Sequence, residues 1–155
     1  MRSIHQWLDE YGESHQNPVN KRIHWICVPA IVLSVIGLLW SIPVPSAFNE
    51  ISPALNWAVL LAMAAVVYYF MLSVPLALGA AAVLFLLLLA AAGLDRLATP
   101  LWVTSVLIFV VAWVGQFIGH HIEGRKPSFF KDLQFLMIGP LWLLAAAYRG
   151  AGLRY

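Results

Sequence analysis

Residues 76–94 read LALGAAAVLFLLLLAAAGL, nineteen consecutive positions without a charged or hydrogen-bonding side chain. As a helix rising 1.5 Å per residue, this stretch is about 28 Å long, close to the hydrocarbon thickness of a bilayer. Backbone groups in lipid must be satisfied within the segment, so the run should be helical. Working outward, residues 26–42, 55–72 and 101–118 have the same character. A fifth run, 133–148, is borderline because Gly139-Pro140 interrupts it.

Composition agrees. The 155 residues are 62% hydrophobic and 10% charged, whereas a soluble domain carries about 25% charged residues. The chain is therefore expected to be all-α, a polytopic membrane helix bundle of four or five spans forming one domain. Residues 1–25 would hold an interfacial helix and a polar motif, 26–118 four spans, and 119–155 a second motif and a C-terminal helix. A net charge of +2 is too small and scattered for nucleic acid. The single cysteine, Cys27, excludes an intrachain disulfide. The first 25 residues lack the basic start and apolar run of a cleaved signal peptide.

Breaks separate the runs. Pro43, Pro45 and Pro53 bound the first loop, Ser73-Val74-Pro75 marks a tight turn or kink, and residues 93–100 carry Asp95 and Arg96. Arg2, Lys21 and Arg22 precede the first span, and Arg125, Lys126 and Lys131 follow the fourth. Lys and Arg favour the cytoplasmic side, so both ends of the four-span unit are expected there. Span parity then places His15, His24, His120 and His121 on one face of the membrane.

The N-terminal stretch has its own period. Ile4, Trp7, Leu8 and Tyr11 follow i, i+3, i+4, i+7 spacing, which predicts a short amphipathic helix along the bilayer surface. Asn17-Pro18 reads as an N-cap followed by proline at the first helical position. The helix that starts there carries His24 into the first span, where Pro29 is a candidate kink.

Two polar constellations remain. In the first, Tyr11 and His15 are four apart, as are Asn20 and His24, so each pair shares a helix face. The break at Asn17-Pro18 lets His15 and His24 converge on one ion, with Asn20 orienting His24. The second comprises Gln116, Gly119, His120, His121, Glu123, Arg125 and Pro127. Gln116 and His120 share a face. Adjacent helical residues point about 100° apart, so His120 and His121 bind one metal together only if the helix ends or loosens there. Glu123 is open to three roles: ligand, carboxylate behind a ligand, or helix-end charge paired with Arg125. Imidazole is the commonest protein ligand for transition metals.

Other features read as structural. Gly115 and Gly119 form a small-residue stripe for close helix packing. Met63, Met71 and Met137 lie on apolar faces. The seven tryptophans read mainly as interfacial anchors or packing, with Trp25 beside His24 the first candidate among them to touch a ligand. Ser14 next to His15 lacks an orienting carboxylate and is weak as a nucleophile. No phosphate loop or nucleophile elbow is present.

The spacing Tyr11-x3-His15-x4-Asn20-x3-His24 with Pro29, and Gln116-x2-Gly119-His120 with Glu123, Arg125 and Pro127, resembles the two motifs of the 2-hydroxy fatty acid dioxygenase family. Its founding member is a fungal enzyme of phytosphingosine breakdown, a branch of sphingolipid metabolism. The resemblance covers nearly the whole chain. It implies an Fe(II)-dependent dioxygenase that shortens a long-chain 2-hydroxy fatty acid by one carbon with O₂. It further implies that His15, His24 and His120 hold the iron, with His121 as an alternative or additional ligand. The family usually has glycine where Cys27 stands, and the spacing from Gly-His to the glutamate is shorter here. Tyr11, Asn20, Gln116, Glu123 and Arg125 are candidates to support the ligands or the substrate, and Arg22, Arg125 and Lys126 to attract its carboxylate. The expected location is a bacterial inner membrane, or the endoplasmic reticulum of a eukaryote, with the metal on the cytoplasmic side. Two other readings are a zinc hydrolase using Glu123 as general base and a non-enzymatic carrier or scaffold. Residues 55–92, with no charge and no histidine, count against transport.

Overall fold

The computed structural model describes residues 2–130 and 133–155, so Lys131 lies outside the described residues. Among the described residues the chain is all-helical, with seven α-helices and no strand. In order these are α1 (Ile4–Gly12), α2 (Pro18–Trp40), α3 (Ser46–Ile51), α4 (Trp57–Leu72), α5 (Val74–Leu94), α6 (Leu101–Glu123) and α7 (Phe135–Gly150), with a single 3₁₀ turn at Ser128–Phe130.

Helices α2, α5 and α6, of 23, 21 and 23 residues, are long and apolar enough to cross a membrane. Helices α4 and α7 have 16 residues each, about 24 Å, which is short of a hydrocarbon core of about 30 Å. Large apolar side chains stay exposed along α5 (Leu78, Phe85, Leu86, Leu89) and α6 (Leu107, Val110, Val111, Val114). Outward-facing apolar surface of that extent suits lipid rather than water.

The caps explain where the helices start. Ser3 and Gln6 form a reciprocal capping box on α1. Asn17 accepts from the Val19 amide at 2.8 Å, and Pro18 occupies the first turn of α2, where its missing N–H is harmless. Ser73 is extended (φ −163°, ψ 120°), ends α4, and caps α5 through its hydroxyl. That one residue turns the chain back on itself. Ala58 near the start of α4 and Ala91 near the end of α5 share one buried cluster, so the pair is an antiparallel hairpin rather than a kinked rod.

The central seam lies between α2 and α6, and small residues set its spacing. A methyl added to Gly37 would strike the Ser105 hydroxyl, one added to Gly115 would lie 2.6 Å from the Cys27 sulfur, and one added to Gly119 would strike the Asn20 amide oxygen. The contacts run 37 to 105, 27 to 115 and 20 to 119, so the helices are antiparallel and the start of α2 meets the end of α6. Both helices continue past the apolar runs at that end. Helix α2 begins at Pro18 and α6 continues to Glu123, which places Asn20, His24, His120 and Glu123 on helical extensions of the apolar runs.

Two differences from the sequence expectation concern partners. The apolar stripe Ile4, Trp7, Leu8 and Tyr11 forms as expected, but it is buried in one cluster with Phe135, Ile138, Leu141 and Trp142 of α7. Trp7 meets Phe135 edge-on at 5.2 Å. Helix α1 thus lays its apolar face on protein, not on lipid. Helix α7, interrupted in sequence by Gly139-Pro140, is continuous and buries seven of its sixteen residues. Tyr69 and Tyr148 hold it to the hairpin by donating to the Met137 and Pro75 carbonyls at 2.9 and 3.0 Å.

The seam supplies a direct check. Gly115→Ala is expected to cost about 1–3 kcal/mol by overpacking, read as a lower thermal midpoint in detergent. Cys27→Ala in the same chain removes the obstructing sulfur and should restore part of the loss; equal midpoints for the single and double variants would contradict this packing.

Candidate metal centre

Three imidazoles meet where the start of α2 faces the end of α6. His15 sits in the turn after α1, His24 in the second turn of α2, and His120 in the last turns of α6. Their exposures are 0%, 1% and 5%. One ligand nitrogen from each lies within 4.8 Å of the others.

Local structure fixes two of the rings. The His15 amide donates to the Gly12 carbonyl at 3.0 Å, tightening the turn, and the ring stacks on Tyr11 at 4.2 Å between centroids. His15 Nδ1 faces the Tyr11 carbonyl at 2.6 Å, and His24 Nδ1 faces the Asn20 carbonyl at 3.0 Å. A carbonyl oxygen only accepts, so both Nδ1 atoms carry the hydrogen and both Nε2 atoms present lone pairs. Those two Nε2 atoms are 2.9 Å apart. Two lone pairs that close repel unless a cation lies between them. A proton is a poor candidate, because burial, reinforced by charge on His24, lowers His15 to about 3. His120 brings a third ring to the same spot, 4.9 Å from His15 and 5.1 Å from His24 between centroids, and its buried Nδ1 has no partner among the described residues. Three neutral imidazoles, two of them with tautomers set by backbone carbonyls, suit a divalent transition metal and leave coordination positions open.

Glu123 holds the frame rather than joining the group. Its two carboxylate oxygens accept from the Gln16 and Asn17 amides at 2.7 and 2.9 Å, and from Asn20 Nδ2 at 3.0 Å. It thereby ties the end of α6 to the turn that carries His15 and to the start of α2. Pairing with Arg125 is not how the arginine is used: Arg125 donates instead to the Glu13 carbonyl at 2.9 Å, across the same junction. Ser14 and Ser128 hydroxyls bond to each other, adding the segment after α6 to the clamp.

Other candidates fall elsewhere. Helix α6 stays helical through Gly119 to Glu123, ending at Gly124 with φ 71°. The helix therefore does not loosen at 119–121; His121 is exposed and lies outside the three-histidine group. Trp25 is 47% exposed and turned outward. The tryptophan near His15 is Trp142 of α7, at 5.3 Å between centroids, which no local sequence signal indicated. Burial raises the Tyr11 hydroxyl well above its usual range, so Tyr11 is a neutral wall.

A slot opens beside the histidines. Tyr11, His24, Val28, Ile31, Val32, Trp113, Gln116 and His120 line it, closed on the far side by Phe135, Gly139 and Pro140. It is mostly apolar and runs along α2 toward the middle of the bundle. Arg22, Arg125 and Lys126 are not among its lining residues. A second, more polar recess is lined by His15 together with Asp9, Glu13, Lys21 and Arg149.

Fold and site together define a helical, membrane-associated protein with a buried three-histidine group that can hold a metal ion. Residues 1–150 match the family described as 2-hydroxy-palmitic acid dioxygenase Mpo1-like, and the chain belongs to that family. It is 30% identical over 139 residues to the 2-hydroxy-palmitic acid dioxygenase MPO1 of Saccharomyces cerevisiae (strain ATCC 204508 / S288c), covering 88% of this chain and 75% of the yeast protein. No solved structure matches the chain.

The clamp predicts that Glu123→Ala destabilises the junction by about 1–3 kcal/mol, since two part-buried donors and one exposed one lose their acceptor. Hydrogen exchange at the Gln16 and Asn17 amides should rise at least tenfold, and unchanged exchange there would show that the carboxylate does not hold the turn.

Proposed function

We propose that this chain is an Fe(II)-dependent dioxygenase that shortens long-chain 2-hydroxy fatty acids by one carbon. The observation that carries this reading is the pair of unprotonated Nε2 atoms 2.9 Å apart, joined by His120 at the mouth of an apolar slot. Membership of the Mpo1-like family, and the name of the yeast relative, supply the reaction class and substrate.

In this reading His15, His24 and His120 hold the metal, and the Tyr11 and Asn20 carbonyls keep the coordinating lone pairs aimed. Iron, when bound, supplies Lewis-acid and redox chemistry toward O₂ and the 2-hydroxy acid. The protein's own contribution is position. The slot between α2, α6 and α7, about 70 Å³ in volume, takes the first carbons of the acyl chain, so the head group stops beside the histidines. Tyr11 and Phe135 wall the slot side of the rings, and Trp142 packs 5.3 Å from His15 between centroids. Lys21, Arg22, Arg125 and Lys126 flank the same end of α2 and α6, which by the positive-inside tendency faces the cytoplasm. The hydrolase alternative needs a free carboxylate as base, and both Glu123 oxygens are already engaged.

Two measurements test this. Protein purified anaerobically should carry about one iron per chain and little zinc. His15→Ala, His24→Ala and His120→Ala should each lower that content at least tenfold, whereas His121→Ala should leave it within twofold. Zinc at one per chain would refute the assignment. Under oxygen, 2-hydroxypalmitate should yield a product one carbon shorter by mass spectrometry, and recovery of intact substrate from the iron-loaded protein would contradict the activity.

A further inference from the structure

Two buried hydrogen-bond donors in the slot have no acceptor among the described residues. Gln116 is 5% exposed, and both its Nε2 and the Trp113 indole Nε1 are buried with no acceptor among the described residues. Trp113, Gln116 and His120 are spaced three and four apart, so they line one face of α6, and all three border the slot. The indole is held in place by Phe109, Phe117 and an edge-on Phe129 at 5.2 Å. Buried donors are rarely left unpaired, because their desolvation is then uncompensated. Two of them in one apolar slot, a helical turn or two from the imidazoles, call for an acceptor that arrives with the ligand. The slot's lining holds no lysine or arginine.

We propose that the Trp113 indole N–H and the Gln116 amide together bind the carboxylate of the fatty acid, fixing its head group beside the three histidines while its tail follows Val28, Ile31 and Val32. This rests on the dioxygenase reading for the identity of the substrate, but it assigns two positioning residues of its own. Neutral donors suit a carboxylate that must remain shared with the histidine group. A lysine or arginine there would draw the carboxylate away as a tight ion pair.

The test is equilibrium binding of two ligands of equal chain length to the full-length protein in detergent: palmitate, and 1-hexadecanol with its neutral head. Gln116→Met and Trp113→Phe should each weaken palmitate about tenfold or more, the effect of removing a hydrogen bond to a charged group, and leave hexadecanol within about threefold. Equal losses for both ligands would reduce the two residues to packing, and unchanged palmitate affinity would show that the donors are met by water; either result overturns the proposal. Should the variants fail to fold, the ¹⁵N-indole signals of the wild type decide. One of the seven should shift on adding palmitate and not on adding hexadecanol, and no selective shift overturns the proposal. Palmitate lacks the 2-hydroxyl and is not a substrate of the proposed reaction. Its capture is therefore scored separately from whether the chain oxidises 2-hydroxypalmitate.

Discussion

The approach of α2 to α6 is the constraint on which the rest depends. Gly115 and Gly119 remove side chains where Cys27 and Asn20 come across, and the antiparallel register then sets the start of one helix against the end of the other. Among the described residues, the three clustered histidines and the groups that hold them collect at that junction. His24 enters from α2 and His120 from α6. His15 is delivered by the turn that Glu123 grips from the end of α6. The glutamate and the glycines act on the same geometry from two directions, one by hydrogen bonding and the other by absence of bulk.

Burial makes the junction suited to holding a metal ion. In water, two imidazole lone pairs would each find a solvent hydrogen. Here the rings are almost wholly enclosed, their Nδ1 hydrogens are committed to backbone carbonyls, and protonation is disfavoured at His15. A shared cation relieves the repulsion. The same enclosure places the apolar slot directly against the rings, so a lipid head group and a metal would meet without a water layer between them. Helix α7 completes this arrangement. It walls the slot with Phe135, Gly139 and Pro140, and Gly139 lets the Tyr11 hydroxyl approach where a methyl would lie 2.9 Å away.

Much of this was legible in the sequence, and the reasons differ by element. The apolar runs and their proline and serine breaks announce helices because length and composition alone decide that. Asn17-Pro18 announces the start of α2 because capping is local chemistry. Span parity and charge give the expectation that His15, His24 and the end of α6 share one face, and the antiparallel pairing of α2 with α6 is what brings them together. Other features depend on tertiary contacts that no spacing reveals. The stripe of α1 reads equally well as lipid-facing, and only the presence of α7 decides that it is buried. Choosing His120 over His121 required knowing that α6 stays helical to Glu123. The three donors on Glu123 come from a segment more than a hundred residues away. Trp113 could have been found, since it lies on the face shared by Gln116 and His120, whereas Trp142 reaches the site from α7 without any local sign.

The central claim is that three imidazoles, from the α1–α2 turn, from α2 and from α6, share one metal ion. X-ray absorption fine structure at the metal edge of the loaded, full-length protein reads this most directly. The account predicts nitrogen scatterers at about 2.0–2.2 Å with the outer-shell pattern of about three imidazoles, retained when His121 is replaced and reduced by one when His120 is replaced. A shell without imidazole scattering, or one that loses an imidazole with His121 instead, would contradict it.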